Sequence, residues 1–183
     1  MCSQLDFQQP NMNPEIIQAN EKYAASFQKP DMAGFKNMTI IACCDPRVDP
    51  YAKLGLKNGE AVIIRNAGGS AVDAVRSITV LQHGIAVTGE IAVFHHTDCG
   101  MTKVTTDRMR ELVKTANPGR DDVAATVDSM DFYHILDVEE SVKSDVKFLA
   151  ENPLILKGTK LSGWVYDVET GKISKVVEAA ASG

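Results

Sequence analysis

Two short clusters of side chains that could do chemistry follow two apolar runs in this sequence. The first run, residues 39–47 (TIIACCDPR), is typical of a buried strand that ends in a thiol, a carboxylate and a guanidinium, from Cys43, Asp45 and Arg47. Because successive side chains of a strand point to opposite faces, these three share one face and Cys44 lies on the other. A thiol able to bind a metal would therefore lie beside a carboxylate and its counter-ion.

The second cluster, residues 95–99 (HHTDC), directly follows the apolar run 91–94 (IAVF). If the two strands are parallel neighbours, their carboxyl ends open onto one crevice, which is where open α/β sheets bind ligands. Cys43, His96 and Cys99 would meet there. Two thiolates and one imidazole are three of the four ligands that zinc takes, and a catalytic site keeps the fourth position for water or substrate. We therefore predict one Zn²⁺ per chain.

The remaining histidine and cysteines near these clusters have simpler interpretations. Adjacent His95 and His96 cannot both point into one site, and His96 is preferred because its three-residue spacing to Cys99 lets both reach one metal. His95 is interpreted as a packed or surface histidine. Cys44, on the opposite face, and Cys2, near the N-terminus, are interpreted as thiols without a metal-binding role.

The spacing of these motifs resembles that of a known enzyme family. The chain carries CxDxR over residues 43–47 and HxxCG over residues 96–100. This pattern is similar to that of the β-class carbonic anhydrases, a family that also includes carbonyl sulfide and carbon disulfide hydrolases. The likeness extends through residues 65–69 (RNAGG) and covers roughly residues 38–101.

The resemblance implies roles for particular residues. It implies zinc coordination by three side chains, Cys43, His96 and Cys99. It also implies that Asp45, held by Arg47, forms the catalytic dyad. One departure is Pro46, where many relatives have serine; proline removes a hydroxyl and a backbone N–H, which changes the pocket geometry and leaves the metal ligands in place.

The reaction implied by this resemblance is hydration of carbon dioxide to bicarbonate by attack of zinc-bound hydroxide. The alternative is hydrolysis of carbonyl sulfide to hydrogen sulfide and carbon dioxide at the same zinc site. Asp45 would accept a hydrogen bond from the hydroxide, and Arg47 would keep Asp45 from becoming the fourth zinc ligand. The backbone of Ala67, Gly68 and Gly69 is expected to line the other side of the substrate pocket, since glycine permits close approach.

The motifs are also compatible with two other functions, and the dyad is also compatible with a simpler structural role. A structural zinc module would need a fourth protein ligand and would not need Asp45 beside Arg47. A nucleotide-binding α/β domain would use Gly68 and Gly69 for phosphates, although the sequence lacks the spaced glycines and the Lys-Ser/Thr pair of such a motif. Asp45 and Arg47 could also form a purely structural ion pair.

Composition and charge narrow the class of protein. The chain has 183 residues, 44% of them hydrophobic and 23% charged, which fits one globular domain with a real core. A net charge of −5 without a basic run argues against nucleic acid or an anionic membrane as partner. No apolar stretch approaches the roughly 20 residues of a membrane helix, and the N-terminus lacks the pattern of a secretory signal. We therefore predict a cytoplasmic protein.

The order of the predicted elements defines the fold. Residues 1–12 are predicted to be a mobile tail, and residues 13–183 a single domain that begins with an N-terminal helix over 13–28. Strands alternate with helices thereafter, which predicts an α/β fold: a mostly parallel sheet of about four strands plus an antiparallel edge strand at 173–177, flanked by helices. The N-terminal helix has an apolar stripe without a sequential partner, formed by Ile16, Ile17, Tyr23, Ala24 and Phe27. This stripe, together with the family resemblance, predicts a homodimer or homotetramer.

Two internal helices have clear sequence signals. Ser70 is a predicted N-cap for a helix that ends near Gly84 in a left-handed conformation. Its predicted inner face consists of Ala71, Val75, Ile78 and Ile85. Asp137 and Glu140 form a predicted capping box for a helix over residues 138–151.

Overall fold

A five-stranded sheet is the centre of the fold in the computed structural model, which describes residues 13–29, 32–85 and 88–183. The strands are β1 (Met38–Cys43), β2 (Val62–Asn66), β3 (Glu90–His96), β4 (Lys160–Tyr166) and β5 (Ile173–Ala180). Their order is β2-β1-β3-β4-β5; the first four are parallel, and β5 runs antiparallel to β4. The predicted mostly parallel sheet with an antiparallel edge strand is confirmed.

Helices lie between the strands. They are α1 (Asn13–Ala25), α2 (Pro50–Leu54), α3 (Ala71–Thr79), α4 (Thr106–Ala116), α5 (Asp121–Asp128) and α6 (Val138–Glu151). The predicted N-cap of α6 forms, because the Asp137 side chain accepts a hydrogen bond from the Glu140 N–H at 2.9 Å. Among the helices of the described ranges, none combines the length and the hydrophobicity of a membrane-spanning helix.

The chain divides into two compact units, residues 1–31 and residues 32–183. The described part of the first unit is α1 with the short segment that follows it. This helix ends three residues earlier than predicted, because the amides of Ser26 and Phe27 bond to carbonyls three residues back and close a final turn. No residue of α1 is buried. The predicted mobile tail, residues 1–12, lies outside the described residues.

Alternate residues of the central strands pack into two hydrophobic layers, one on each face of the sheet. On one face, Ile41 and Val93 pack against side chains of α3 and α6, which are Ile78, Val146 and Leu149. On the other face, Ile40 and Ala92 belong to a cluster completed by Ala42, Val48, Ala61, Phe94 and Tyr166. Each fully buried aliphatic side chain contributes about 1.5–3 kcal/mol. The central strands are therefore held from both sides, which makes their carboxyl ends a rigid platform.

The end of α3 differs from the prediction. The Ser70 Oγ accepts a hydrogen bond from the Asp73 N–H at 3.4 Å, as expected of an N-cap, but the helix continues as a π-helical turn over residues 80–85. Gly84 does not have a positive φ, so the predicted left-handed end is wrong. The wider turn rotates the following side chains, so Ile85 is 60% exposed where an inner position was predicted. Gln82 is buried instead.

Candidate metal centre

Parallel pairing of β1 and β3 brings together the three predicted donors. Cys43 is the last residue of β1, His96 is the last residue of β3, and Cys99 follows three residues later. All three side chains are buried, and their donor atoms lie within 4.8 Å of one another. The two sulfur atoms are 4.0 Å apart. Three soft or borderline donors therefore converge on one point at the carboxyl edge of the sheet.

The chemistry of His96 fits a metal ligand. Its Nδ1–H donates to the Thr97 carbonyl at 2.9 Å, which fixes the tautomer and leaves the Nε2 lone pair free. Nε2 is buried and has no hydrogen-bond partner. An unsatisfied buried polar atom costs about 1–3 kcal/mol, and a coordinated cation would remove that cost. In the part of the chain that the structure describes, no fourth His, Cys, Asp or Glu joins this cluster, so the donor set leaves a coordination position open.

The pKa values of the two thiols shift in opposite directions. The Cys99 thiol hydrogen-bonds to Cys43 and lowers the pKa of Cys43, aided by the backbone N–H groups of Asp45 and Gly68. The same contact, together with burial, raises the pKa of Cys99. Burial lowers the pKa of His96, but the neighbouring Cys43 thiolate outweighs it and the net shift is upward. Metal ligands bind in their deprotonated form, so the lowered pKa of Cys43 favours the thiolate that a metal would take.

The aspartate and arginine of the predicted dyad lie beside these donors. β1 ends at Cys43, so the predicted strand through residue 47 is too long, and Asp45 and Arg47 occupy the turn that follows. They converge because the Arg47 Nε and Nη2 donate to the two Asp45 carboxylate oxygens at 3.1 and 2.8 Å. These hydrogen bonds lower the pKa of Asp45 well below its usual range. The Asp45 Oδ2 lies 4.0 Å from the His96 Nε2.

Two more charged residues hydrogen-bond to the dyad or to the turn that carries it, and neither was assigned a role from the sequence. Arg65 of β2 donates to the Cys43 carbonyl at 3.0 Å and to the Asp45 carbonyl at 2.7 Å, which braces the turn. Asp98 accepts hydrogen bonds from Arg47 through both its carboxylate and its carbonyl. Their sequence signals were present, since Arg65 opens the RNAGG motif and Asp98 lies inside HxxC. Spacing alone did not show which atoms they reach.

The turn after β2 holds the predicted pocket residues Ala67, Gly68 and Gly69 in a 3-10 helix. Gly69 has φ +76°, and a Cβ there would lie 2.9 Å from the Phe94 carbonyl and 3.0 Å from the Cys43 nitrogen. Only glycine permits this approach of the turn to β1 and β3. The backbone N–H of Gly68 helps to lower the pKa of the Cys43 thiol, which indicates that the turn faces the metal centre.

An apolar wall closes one side of the metal centre. Ile135 is buried against Cys43 and Cys99, and Met101 packs against the same cluster. A Cβ on Gly68 would lie 3.3 Å from Met101 and 3.4 Å from Ile135. Neither wall residue was predicted from the sequence. Ile135 follows α5 in an irregular segment and Met101 lies in a short 3-10 turn, so neither has a periodic pattern around it.

His95 points away from the donors, as its adjacency to His96 predicted. It is buried, with its Nδ1 2.6 Å from the Ser141 Oγ and its Nε2 3.1 Å from the Asp145 Oδ2. These groups line a cavity of about 570 Å³ that also reaches Gly68 and Ile135. None of the three metal donors lines this cavity. His95 is therefore a packed histidine.

Known proteins resemble this chain over most of its length. A family model described as carbonic anhydrase matches residues 38–173. Beta-carbonic anhydrase 1 of Mycobacterium tuberculosis is 38% identical over 164 residues, which cover 88% of this chain and 96% of that relative. A carbon disulfide hydrolase of Acidithiobacillus thiooxidans is 30% identical over 152 residues, covering 75% of this chain and 76% of that relative. The solved structure of a carbonic anhydrase from Glaciozyma antarctica superposes with a TM-score of 0.78 at 40% identity, covering 96% of this chain and 99% of that chain.

Proposed function

This chain belongs to the β-carbonic anhydrase family of enzymes, and from that premise we propose that it hydrates carbon dioxide to bicarbonate. The proposed cofactor is one zinc ion per chain, held by Cys43, His96 and Cys99. The observation that carries this proposal is the convergence of three buried donors, one with an unpartnered nitrogen, beside a carboxylate 4.0 Å away. Thiolate and imidazole donors in this number suit zinc.

Asp45 and Arg47 have different roles in the proposed reaction. When bound, zinc supplies the Lewis acidity that makes water a nucleophile near neutral pH. The Asp45 Oδ2 accepts a hydrogen bond from the attacking water and orients a lone pair of that water toward the carbon of the linear substrate. Arg47 keeps Asp45 ionised and holds it away from the metal. The carbon–oxygen bond forms as one proton leaves for solvent, so carbon dioxide and water give bicarbonate and a proton.

The surroundings of the dyad define the proposed substrate pocket. The backbone of Ala67, Gly68 and Gly69 forms one side, and Gly68 lies against Met101 and Ile135. This apolar wall suits a small substrate without charge and limits the access of bulk water. The pocket therefore favours a cumulated molecule such as carbon dioxide over a charged one.

A second candidate is hydrolysis of carbonyl sulfide to hydrogen sulfide and carbon dioxide. It is favoured by the family members that act on a sulfur analogue, since a relative named carbon disulfide hydrolase is 30% identical to this chain. The metal donors and the dyad would serve both reactions in the same way. The choice between them depends on pocket width and on release of a sulfur product.

The test is a side-by-side measurement of kcat/KM for carbon dioxide and for carbonyl sulfide with the zinc-loaded full-length protein. We expect the value for carbon dioxide to be higher. A clearly higher value for carbonyl sulfide would reverse the assignment of substrate and leave the residue roles in place. Turnover of neither substrate by fully zinc-loaded protein would favour a structural zinc module.

The proposed assembly is a homodimer or homotetramer. It is supported by the exposed apolar side chains of the N-terminal unit, which are 50–60% exposed at Ile16, Ile17, Tyr23 and Phe27. Light scattering at micromolar concentration should give an even-numbered oligomer, and deletion of residues 1–28 should weaken it. A full-length monomer would contradict the proposal.

The proposed location is the cytoplasm. The described cysteines Cys43, Cys44 and Cys99 are all free thiols, and a thiolate metal centre is maintained best in a reducing compartment. Cell fractionation checks this location, and recovery of the protein outside the cytoplasmic fraction would contradict it.

A further inference from the structure

Arg47 is held by two carboxylates, only one of which belongs to the dyad. Beyond its bonds to Asp45, its Nη1 donates to the Asp98 Oδ2 at 2.9 Å and its Nη2 donates to the Asp98 carbonyl at 3.0 Å. The Nη2 group thus uses one hydrogen for each aspartate, since it also donates to the Asp45 Oδ2 at 2.8 Å. The guanidinium cannot rotate away from Asp45 without also losing Asp98.

The backbone at position 98 is arranged for this contact. Asp98 has φ +51°, a left-handed conformation that is uncommon for residues other than glycine, asparagine and aspartate. In this conformation its carbonyl and its carboxylate both reach Arg47. The position lies directly before Cys99, so the same short segment supplies a metal donor and a second anchor for the arginine.

A lysine completes the anchor from the opposite side. The Lys103 Nζ donates to the Asp98 Oδ1 at 2.9 Å, so each carboxylate oxygen of Asp98 has a cationic partner. The Asp98 carboxylate is therefore held in one orientation between Arg47 and Lys103.

The anchor matters because Arg47 is exposed. Its side chain is 47% accessible to solvent, and an exposed arginine held by one carboxylate alone is mobile and contributes little. Four of its five side-chain N–H groups have partners when Asp98 is counted. A second anchor converts a weak surface pair into one with a fixed orientation.

We propose that Asp98 is a positioning residue for the reaction. It holds Arg47 in contact with Asp45 and so keeps the Asp45 carboxylate from coordinating the metal. This inference rests on the proposed function, and it adds to the dyad a residue that touches neither substrate nor metal. Without the Asp98 carboxylate, the hydrogen bonds between Arg47 and Asp45 break more often. Asp45 then competes with water for the open coordination position.

The first test compares Asp98→Asn with Asp122→Asn in the zinc-loaded full-length protein. Asparagine tolerates a left-handed backbone, so Asp98→Asn removes the charge without straining position 98. Asp122→Asn is the matched control, because Asp122 forms an exposed pair with Arg120 at the start of α5. We expect Asp98→Asn to lower kcat/KM about tenfold and Asp122→Asn to leave it within about twofold. Equal kcat/KM for Asp98→Asn and the unmodified protein would overturn the proposal.

The second test separates positioning from a general structural role. In an Arg47→Ala background, Asp98→Asn should have no further effect on kcat/KM, because no guanidinium remains to be positioned. Zinc content should be unchanged in Asp98→Asn alone. A full additional loss of rate in the Arg47→Ala background, or loss of zinc from the single variant, would overturn the positioning role.

The third test reads metal coordination without turnover. In the cobalt(II)-substituted protein, the absorption spectrum of Asp98→Asn should show added carboxylate coordination, and this change should disappear in the double variant Asp45→Asn/Asp98→Asn. An unchanged cobalt spectrum in Asp98→Asn would overturn the proposal. The cobalt spectrum requires metal binding but no turnover. Absence of turnover in the unmodified protein would therefore refute the proposed function, and the spectrum would still test the role of Asp98.

Discussion

Two aspartate–arginine pairs in this chain have the same spacing and nearly the same geometry but different surroundings. In the first pair, the Arg47 Nε and Nη2 donate to the Asp45 carboxylate at 3.1 and 2.8 Å. In the second pair, the same atoms of Arg120 donate to Asp122 at 2.9 and 2.7 Å. The Asp45 side chain is 16% exposed and the Asp122 side chain is 66% exposed. The side-chain hydrogen bonds within each pair therefore do not distinguish them, whereas the exposure of the two aspartates does.

The difference lies in what surrounds each pair. Asp45 lies 4.0 Å from the His96 Nε2, and its arginine has a second anchor in Asp98. Asp122 lies in the first turn of α5, where its negative charge interacts favourably with the helix N-terminus, and the Arg120 side chain is 61% exposed. An i,i+2 aspartate–arginine pair is thus a local motif that the chain uses twice. Its chemical role comes from the strands and loops that lie next to it.

The largest expected effect comes from removing one of the three metal donors that lie beside the Asp45–Arg47 pair. Cys43→Ser, His96→Ala and Cys99→Ser should each lose bound zinc and activity, because two remaining protein donors hold zinc poorly. Cys44→Ser is the control and should retain both, since the Cys44 side chain is exposed. Elemental analysis and rate measurements check this prediction. Full zinc content in the Cys43→Ser protein would remove Cys43 from the ligand set.

The next effect concerns the two aspartates directly. Asp45→Asn should keep zinc and lower kcat by about 10²–10⁴-fold, because an amide cannot replace the carboxylate as acceptor for the attacking water. Asp122→Asn should change neither zinc content nor rate, and its stability should change by less than about 0.5 kcal/mol. Similar rates for both variants would mean that the first pair is only a structural ion pair.

The smallest expected effect is on acid stability. Hydrogen bonds from Arg47 lower the pKa of Asp45, and hydrogen bonds from Arg120 lower the pKa of Asp122, both from an ordinary value of 3.8. A lowered carboxyl pKa adds stability that is present above the ordinary value and is lost as the pH falls through the folded value. Arg47→Ala and Arg120→Ala should therefore both raise the pH of acid unfolding.

The size of this shift should separate the two pairs. Arg47→Ala should give the larger change, because Arg47 also lowers the pKa of Asp98. Circular dichroism followed from about pH 5 to about pH 1 covers the range between the ordinary and the lowered carboxyl pKa values. An equal or larger shift in Arg120→Ala would contradict the view that the first arginine has two anchors.

Much of the fold and the convergence of the site were predictable because they follow from local patterns. Apolar runs of strand length alternate with capped helices, which predicted the parallel sheet and the antiparallel edge strand. Donor residues at the ends of two such runs predicted that Cys43, His96 and Cys99 would meet. The extra residue of the π-helical turn was not predictable, since no local signal marks the change in period, and Ile85 was placed on the wrong face as a result.

The sequence by itself determined which residues could do chemistry and which edge of the sheet would hold them, because residue type, periodicity and spacing are local properties. Tertiary structure decided how those residues work together. The second anchor of Arg47 at Asp98, the Arg65 brace and the apolar wall of Met101 and Ile135 all join segments that are far apart in the chain. Such contacts depend on strand order, register and the path of irregular loops. The CxDxR motif singled out the Asp45–Arg47 pair, but it did not show the contacts with Asp98 and Arg65 that distinguish this pair from the Arg120–Asp122 pair.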